Sequence, residues 1–418
     1  CSLVGSEMCI RDRPDWLPEA VLLEARTLSQ RCTYSFTAMR PEAVRALYGR
    51  TIPLSASKID RFAGCRYAFF LQYGLRAAPW KQAEFDAPLF GSFVHDVLEH
   101  VVRAAQENGG FAAMTDGEIS ALTERCMDAC MGTYLPQGEA AASRERYLSA
   151  RNRQEAAAVV MDVARELRLS QFAPAAEELR FAPGGPLPPI EYRAKSGSGL
   201  LTGQIDRVDI YEADGTRYFR IIDYKTGHKD FDYAELLYGK NLQMLLYLFA
   251  LESYQKQTGQ PMQPAGVLYV PGRCDMVKLK PGEDPAHADN ERRKDLRRKG
   301  LVLNDEAVLH AMESYEKKPQ YLPFEHGPDG LAGDLASPAQ LAELERFVTG
   351  QVESMIDEIL SGVTAPNPIS RGPSDTECKY CDFSSACHKD VCSVNTRRFA
   401  SVTPEEFWQE LERRLEHG

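Results

Sequence analysis

Three charged residues in two neighbouring segments of this chain have types and spacing suited to phosphate chemistry. Asp223 and Lys225 are separated by one residue at the end of a run rich in Ile, Tyr and Phe, and Asp206 lies in the preceding run of similar character. Two carboxylates can hold a divalent cation, and a lysine can polarise a phosphate or help to generate hydroxide. The alternative is that Asp223 and Lys225 form an ordinary surface ion pair, which contributes little to stability.

The segment that carries these residues, 200–227, is predicted to be a β-hairpin. Its two strand-like runs flank Asp214-Gly215, a pair that tolerates the positive φ of a tight turn. Because side chains alternate across a strand, Asp223 and Lys225 share one face. Closure of the hairpin brings Asp206 close to that face, so two acids and one lysine converge.

Two helices are expected to flank the hairpin. Residues 90–105 form an amphipathic pattern with His95 near the apolar stripe, where a lone histidine is usually a packed or capping residue. Residues 233–254 are predicted to form one long buried helix, on which Gln243 and Tyr247 are four residues apart and share a face. Their polar ends need partners, which ordinary core hydrogen bonds or the polar face of the hairpin would supply.

Two further segments carry weaker signals. Glu177, on the probable strand 172–181, is a candidate auxiliary acid, although a solvated strand edge is the favoured interpretation. The basic cluster at 291–300 is a weak candidate for DNA contact, because charge runs are usually solvated faces.

Three cysteines occur close together near the C-terminus: Cys378, Cys381 and Cys387. Three thiolates can converge on one metal centre but leave a tetrahedral set one ligand short. His388 and Cys392 are local candidates for a zinc site, whereas Cys65 is the distant candidate for a cluster that joins the two ends of the chain. The spacing leaves zinc and an iron-sulfur cluster both open.

The composition describes a soluble globular protein of 418 residues, with 44% hydrophobic residues, 26% charged residues and a net charge of -11. This charge argues against a wholly basic nucleic-acid coat but not against a local basic channel. No apolar run reaches membrane-spanning length. Eleven cysteines without a convincing secretory signal fit a secreted disulfide framework poorly, so a cytoplasmic location and no membrane association are predicted.

The first 13 residues have no periodicity and resemble a translated sequencing-adapter read. Cys1 and Cys9 are therefore left out of the site prediction, and the natural N-terminus is expected to be missing.

Four motifs in order resemble those of the RecB-type nucleases of the PD-(D/E)xK superfamily. They are GSFVH at 91–95, GQIDRVD at 203–209, IIDYKTG at 221–227 and QMLLY at 243–247. One distant cysteine followed by the C-terminal three is similar to the four-cysteine iron-sulfur site of that group. The stretch 55–75 is similar to the start of the C-terminal nuclease domain of the AddB-type subunits of helicase-nuclease complexes, and the whole resemblance covers about 52–390.

The resemblance implies an α/β fold with a restriction-endonuclease-like PD-(D/E)xK core, in which helices flank a central mixed β-sheet. It also implies a helical insertion at about 108–170 and an iron-sulfur staple joining the N- and C-terminal parts. Residues 14–50 would be the end of a preceding helicase-like region or a linker. The nuclease domain would span 51–392, and 393–418 would form a C-terminal tail helix.

The resemblance also implies roles for individual residues. The metal would be held by His95, Asp206, Asp223 and the backbone carbonyl of Tyr224. The catalytic lysine would be Lys225, with Gln243 and Tyr247 positioning the DNA or the lysine. The cluster ligands would be Cys65, Cys378, Cys381 and Cys387, leaving Cys392 as a spectator.

The implied activity is that of a deoxyribonuclease, an exonuclease dependent on Mg²⁺ or Mn²⁺, with a 4Fe-4S cluster. Its partners would be single-stranded DNA at the active site and an AddA-like helicase-nuclease subunit. The resulting heterodimer would process double-stranded DNA ends for recombinational repair, and this domain would cut the 5′-ended strand. No GxxxxGK[ST] phosphate loop occurs here, so no ATP hydrolysis is expected.

Two alternatives remain open at this point. One is a stand-alone CRISPR-associated RecB-like exonuclease with the same arrangement of cysteines. The other is a non-catalytic, metal-stapled DNA-binding module, which would bind DNA without cleaving it.

Overall fold

The structure is a computed structural model that describes residues 18–31, 36–78, 87–134, 143–273, 293–316, 318–328, 330–387 and 395–417. The chain divides into two compact units. The cysteine unit comprises Cys1–Gly49, Arg61–Pro79 and Glu358–Ala400, and the sheet unit comprises Arg50–Asp60, Trp80–Asp357 and Ser401–Gly418.

The strands of the described residues are numbered in chain order. They are β1 Thr51–Leu54, β2 Ala173–Phe181, β3 Ile190–Arg193, β4 Ser198–Leu201, β5 Gly203–Ala213, β6 Thr216–Lys225, β7 Gln263–Pro271, β8 Lys299–Leu303, β9 Phe324–Gly327, β10 Gly330–Gly333, β11 Leu335–Ala336, β12 Ile369–Gly372, β13 Asp375–Thr376 and β14 Arg397–Arg398.

The α-helices are numbered in the same way. They are α1 Glu19–Arg31, α2 Pro41–Tyr48, α3 Ala56–Gly64, α4 Arg66–Phe69, α5 Ala87–Glu107, α6 Asp116–Tyr134, α7 Ser143–Leu169, α8 Tyr233–Leu237, α9 Gln243–Gln257, α10 Glu306–Met312, α11 Pro338–Leu360, α12 Ser384–Cys387 and α13 Pro404–His417.

A six-stranded sheet with the order β11-β8-β7-β6-β5-β2 forms the centre of the sheet unit. β6 pairs in parallel with β7, as does β11 with β8, and the other pairs are antiparallel. Helix α9 packs on β6 and β7, and α5 packs on β2. β7 and β8 are almost entirely apolar and buried, whereas β5 and β6 also bury charged side chains among their apolar residues. The predicted α/β fold with a mixed sheet and flanking helices is confirmed.

The predicted hairpin is formed by β5 and β6. Their antiparallel pairing runs from Ala213 opposite Thr216 to Arg207 opposite Ile222. Asp214 and Gly215 both have positive φ, 52° and 76°. Two such residues between paired strands make a tight turn whose twist matches that of the hairpin, and this turn fixes the register.

The prediction of one long helix over 233–254 is wrong. The segment forms two helices, α8 and α9, separated by a turn in which Gly239 has φ 79° and Asn241 has φ 57°. Two left-handed residues end the regular right-handed helix, and the chain begins a new one at Gln243.

Helices α6 and α7 lie in the range 108–170, for which the resemblance implies a helical insertion. Part of the basic cluster, however, faces this insertion and not solvent. Arg298 is completely buried and bonds to Asp162 and Glu166 of α7, while Arg297 pairs with Glu325 over 2.8 Å. These two arginines therefore do not fit the predicted DNA contact. Residues 281–292 lie outside the described residues.

The cysteine unit contains the three-stranded sheet β13-β12-β14. Helix α3 ends at Gly64, and Cys65 is extended, with φ -163° and ψ 123°, before α4 begins. Over the described part of the chain, no helix has the length and apolar character needed to cross a membrane.

Candidate active site

The end of the hairpin brings the two predicted acids together. The β5–β6 pairing ends at Arg207 opposite Ile222, and Asp206 and Asp223 are the next residues of the two strands, close enough for the charge of Asp206 to raise the pKa of Asp223. The backbone N–H of Tyr224 donates to Asp206 Oδ2 over 2.8 Å. The local geometry of one hairpin is thus enough to bring both carboxylates to one place.

His95 reaches the same place from helix α5. Its Nε2–H donates to the carbonyl oxygen of Tyr224 over 2.7 Å, and its Nδ1 lies 3.3 Å from Asp206 Oδ2. The imidazole is therefore held between a main-chain carbonyl and a carboxylate. The interpretation of His95 as a residue merely packed on an apolar stripe does not describe these contacts.

Glu178 is a site residue that was not predicted from the sequence. Among the described residues, His95, Glu178 and Asp206 form the one group whose candidate ligand atoms all lie within 4.8 Å of one another. β2 pairs with β5 so that Glu177 is opposite Arg207 and Leu179 is opposite Ile205, which sets Glu178 beside Asp206.

Glu177 is the sequence candidate for an auxiliary acid, with a solvated strand edge as the favoured interpretation, but Glu178 is the glutamate that lies with His95 and Asp206. Glu177 lies instead 3.9 Å from Arg103. The pair of glutamates was a visible signal, but alternation alone could not choose between them. The β2–β5 pairing is irregular between Pro174 and Ala176, and Glu178 has φ 51°. A bulge of this kind changes which side chain faces the site.

Lys225 and Asp223 are in direct contact, with 2.5 Å between Nζ and Oδ2. Asp223 is only 3% exposed, so the pair is not the solvated surface pair considered from sequence. Gln243, the first residue of α9, donates from Nε2 to Asp223 Oδ1 over 3.3 Å. The lysine side chain is 30% exposed, whereas that of Asp223 is 4% exposed.

Because several carboxylates lie close together and are partly buried, the pKa values of Asp223, Glu178 and His95 are all raised. Burial, together with the charge of Asp206, raises the pKa of Asp223 to about 6, against the opposing effect of Lys225. Burial and the charge of Asp206 raise the pKa of Glu178 to about 7. Burial disfavours the charged form of His95, but the carboxylates of Asp206 and Asp223 outweigh it and raise the pKa of His95 to about 9. Oxygen-rich sites of this kind suit hard divalent cations.

Tyr247 packs at the start of β5. A Cβ built at Gly203 would lie 2.2 Å from the Tyr247 hydroxyl, and the tyrosine ring stacks on Phe181 with 5.9 Å between centroids. Of the two residues predicted on this helix, Gln243 therefore contacts the acids, whereas Tyr247 supports the strand that carries Asp206.

The four predicted cluster cysteines line one pocket of the cysteine unit: Cys65, Cys378, Cys381 and Cys387. Apolar neighbours in its wall include Ala68 and Phe383. Burial raises the pKa of the Cys381 thiol. The other candidates for a fourth ligand, His388 and Cys392, lie outside the described residues. Four thiols that line one pocket could serve either as zinc ligands or as the ligands of an iron-sulfur cluster.

Comparison with known proteins adds an independent finding. The model of a family described as the PD-(D/E)XK nuclease superfamily matches residues 53–388. The matched range includes the hairpin, His95, Glu178 and all four pocket cysteines.

Curated relatives share similarity over most of this chain. The chain is 32% identical over 357 residues to a protein of Acetivibrio thermocellus that is named as a subunit of an ATP-dependent helicase/deoxyribonuclease, covering 84% of this chain and 31% of that protein. The protein of the same name from Clostridium kluyveri is 28% identical over 391 residues, covering 89% and 33%. That of Moorella thermoacetica is 29% identical over 380 residues, with the same coverage of 89% and 33%. The chain thus spans about a third of the length of the curated relatives it matches.

Proposed function

This chain belongs to the PD-(D/E)XK nuclease superfamily, and from this we propose that it is a metal-dependent deoxyribonuclease. The observation that carries the proposal is the convergence of His95, Asp206, Asp223 and Lys225 at the end of the β5–β6 hairpin. All four are present and in contact with one another or with Tyr224, which supports a working site over a non-catalytic DNA-binding module.

We further propose that the domain acts within a helicase-nuclease complex. Relatives named as subunits of an ATP-dependent helicase/deoxyribonuclease support this assignment over a stand-alone CRISPR-associated exonuclease. In the proposed complex an AddA-like subunit is the partner, double-stranded DNA ends are the substrate, and recombinational repair is the role. The proposed specificity is exonucleolytic cleavage of the 5′-ended strand.

The resident cation would be Mg²⁺ or Mn²⁺. Asp206, Asp223, His95 and the Tyr224 carbonyl would hold it, and Glu178 is added to this set because of its position beside Asp206. When bound, such a cation lowers the pKa of a water molecule and stabilises negative charge on phosphate oxygens. An oxygen-rich set with one histidine fits either metal.

The side chains of this chain would contribute orientation and charge. Lys225 Nζ, held at 2.5 Å from Asp223, is positioned to neutralise charge that develops on the scissile phosphate. Gln243 holds the other oxygen of Asp223 and so limits rotation of that carboxylate. Preorganisation of this kind means that the groups need not rearrange during the reaction.

We propose a structural 4Fe-4S cluster at Cys65, Cys378, Cys381 and Cys387. Support comes from the four thiols, which line one pocket. A cluster there would tie Cys65 to the segment 378–387 of the same unit. No redox step is required of it.

The test of the function is cleavage of end-labelled single-stranded DNA with and without Mg²⁺. We expect the wild-type chain to cleave only with the metal, and we expect Asp223→Ala and Lys225→Ala to lose on the order of 100-fold or more of the rate. Lys256→Ala is the matched control, because Lys256 forms an exposed ion pair with Glu252 away from the site. Labels at the 5′ and 3′ ends report the polarity.

Two outcomes would overturn the proposal. A folded wild-type chain that binds DNA but does not cleave it, either alone or with an AddA-like subunit, would favour the DNA-binding module. Cleavage that persists in Lys225→Ala would remove the lysine from the catalytic set.

A further inference from the structure

Six ionisable side chains are buried behind the hairpin, and none of them has a role in the proposed cleavage reaction. They are Asp162, Glu166, Arg207, Asp209, Arg220 and Arg298, and none is more than 6% exposed. Three are arginines and three are carboxylic acids. Buried ion pairs are weak evidence for stability, because the free-energy cost of desolvating two charges can equal the gain from their attraction. A contribution to stability therefore does not by itself explain why these residues are buried here.

Hydrogen bonds and ion pairs join these six residues into one network. The end of this network that is farthest from the candidate active site lies against helix α7. Arg298 donates to Glu166 over 3.0 and 2.7 Å. The other oxygen of Glu166 lies 3.2 Å from Arg220 Nη2, and Arg220 Nε donates to Asp209 Oδ2 over 2.9 Å. The network therefore runs from α7 to the two hairpin strands.

At the end of the network nearest the candidate active site, Arg207 donates a hydrogen bond to the side chain of Tyr224. Arg207 donates two hydrogen bonds to the carboxylate of Asp209, from Nε to Oδ1 over 2.8 Å and from Nη2 to Oδ2 over 3.0 Å. Its remaining terminal nitrogen, Nη1, donates to the Tyr224 hydroxyl over 2.6 Å. The guanidinium is planar and its donors have a fixed geometry, so the carboxylate of Asp209 determines where the phenol is held.

The peptide of Tyr224 connects this network to the active site. Its N–H bonds Asp206 over 2.8 Å, and its carbonyl accepts from His95 over 2.7 Å. Because side chains alternate along β6, the phenol of Tyr224 points away from the face that carries Asp223 and Lys225. The hydrogen bond from Arg207 to the Tyr224 hydroxyl, on one face of β6, therefore restrains the Tyr224 peptide. That peptide contacts two proposed metal ligands, Asp206 and His95.

We propose that Arg207 and the Tyr224 phenol are positioning residues that set the geometry in which Asp206 and His95 are presented to a divalent cation. The inference rests on the proposed function, because it concerns the same metal site. Groups that orient metal ligands from behind typically change metal affinity 10- to 100-fold when they are lost. The function of the buried charged residues would then be to orient Asp206 and His95, and not to increase the stability of the fold.

The test is Mn²⁺ binding measured by calorimetry without DNA, in the wild type and in Tyr224→Phe. Phenylalanine removes one hydroxyl and keeps the ring, and we expect the Kd for Mn²⁺ to rise about tenfold. Tyr321→Phe is the matched control. Tyr321 is also buried, and its ring stacks on Arg298 at the far end of the network, 4.5 Å from the guanidinium carbon. Its Kd is expected to stay at the wild-type value.

A second variant and a double mutant sharpen the test. Arg207→Lys keeps the charge but cannot hold Asp209 and Tyr224 in one rigid fork, so its Kd should rise as well. In the double mutant Tyr224→Phe/His95→Ala, the two effects should not add, because the phenol acts in part through His95.

The outcomes are distinguishable. An unchanged Kd in Tyr224→Phe, with or without a fall in thermal stability, would make the network purely structural and overturn the inference. A wild-type chain that binds no Mn²⁺ would instead overturn the proposed function on which it rests.

Discussion

The hydroxyl of Tyr247 occupies the space that a side chain at position 203 would need. A Cβ built at Gly203 would lie 2.2 Å from this oxygen and 2.5 Å from the ring carbon that carries it. Glycine therefore lets the start of β5 approach α9 closely, and β5 carries Asp206 three residues later.

Gly203→Ala is expected to destabilise the sheet unit. The added methyl group must displace the buried Tyr247 ring or the strand, and overpacking of this kind costs about 1–3 kcal/mol. Urea unfolding of the metal-free chain measures the loss.

Gly350→Ala is the control for this prediction. Gly350 lies in helix α11, and a Cβ there would meet nothing within 4 Å. Alanine in a helix interior is more favourable than glycine by up to about 1 kcal/mol, so this variant should gain stability. A loss of stability in both variants would contradict the steric explanation.

Asp223→Asn is expected to stabilise the metal-free protein while abolishing cleavage. Burial and Asp206 raise the folded-state pKa of Asp223 from 3.8 to about 6. The charged carboxylate is thus disfavoured in the folded state, and this cost is absent below pH 3.8 and fully present above about pH 6. Asparagine removes it, so the melting temperature in EDTA should rise at pH 8 and differ little at pH 4. An equal change at both pH values would indicate a cause other than ionisation.

Metal binding is expected to strengthen as the pH rises and to release protons. His95 has its pKa raised to about 9, so it is protonated near neutral pH in the metal-free chain, and a cation binds only the neutral ring. The affinity for Mn²⁺ should therefore increase between pH 7 and pH 9. Calorimetry in buffers with different ionisation enthalpies counts the released protons, and His95→Ala should release fewer. A proton count of zero would contradict the prediction.

Replacement of any one of the four pocket cysteines by alanine should reduce bound iron and sulfide. Iron and sulfide analysis after anaerobic purification, together with the visible absorption spectrum, measures the content. Cys126→Ala is the control, since Cys126 is a free thiol on α6 that does not line the pocket. A colourless wild-type chain with one zinc per chain would contradict the cluster, and equal iron loss in Cys126→Ala would contradict its location.

Much of the β5–β6 hairpin could be predicted from the sequence because the contacts within it are local. The Asp214-Gly215 turn fixes the register of β5 against β6, and this register places Asp206 and Asp223 directly after the paired residues Arg207 and Ile222. Alternation along one strand then separates Lys225 from Tyr224. These relationships involve residues fewer than 25 positions apart, which are constrained by covalent geometry and one turn.

The remaining features depended on packing between distant segments. The contact between His95 and Tyr224 spans 129 positions and exists because α5 is held against the sheet. An irregularity in the β2–β5 pairing determines that Glu178, and not Glu177, lies beside Asp206. Arg298 is buried because it pairs with two acids on α7. A sequence shows which residues can ionise or bind, but the register of separate strands and the docking of helices decide which of them meet. Register and docking are set by the packing of the whole core, which no short segment determines by itself.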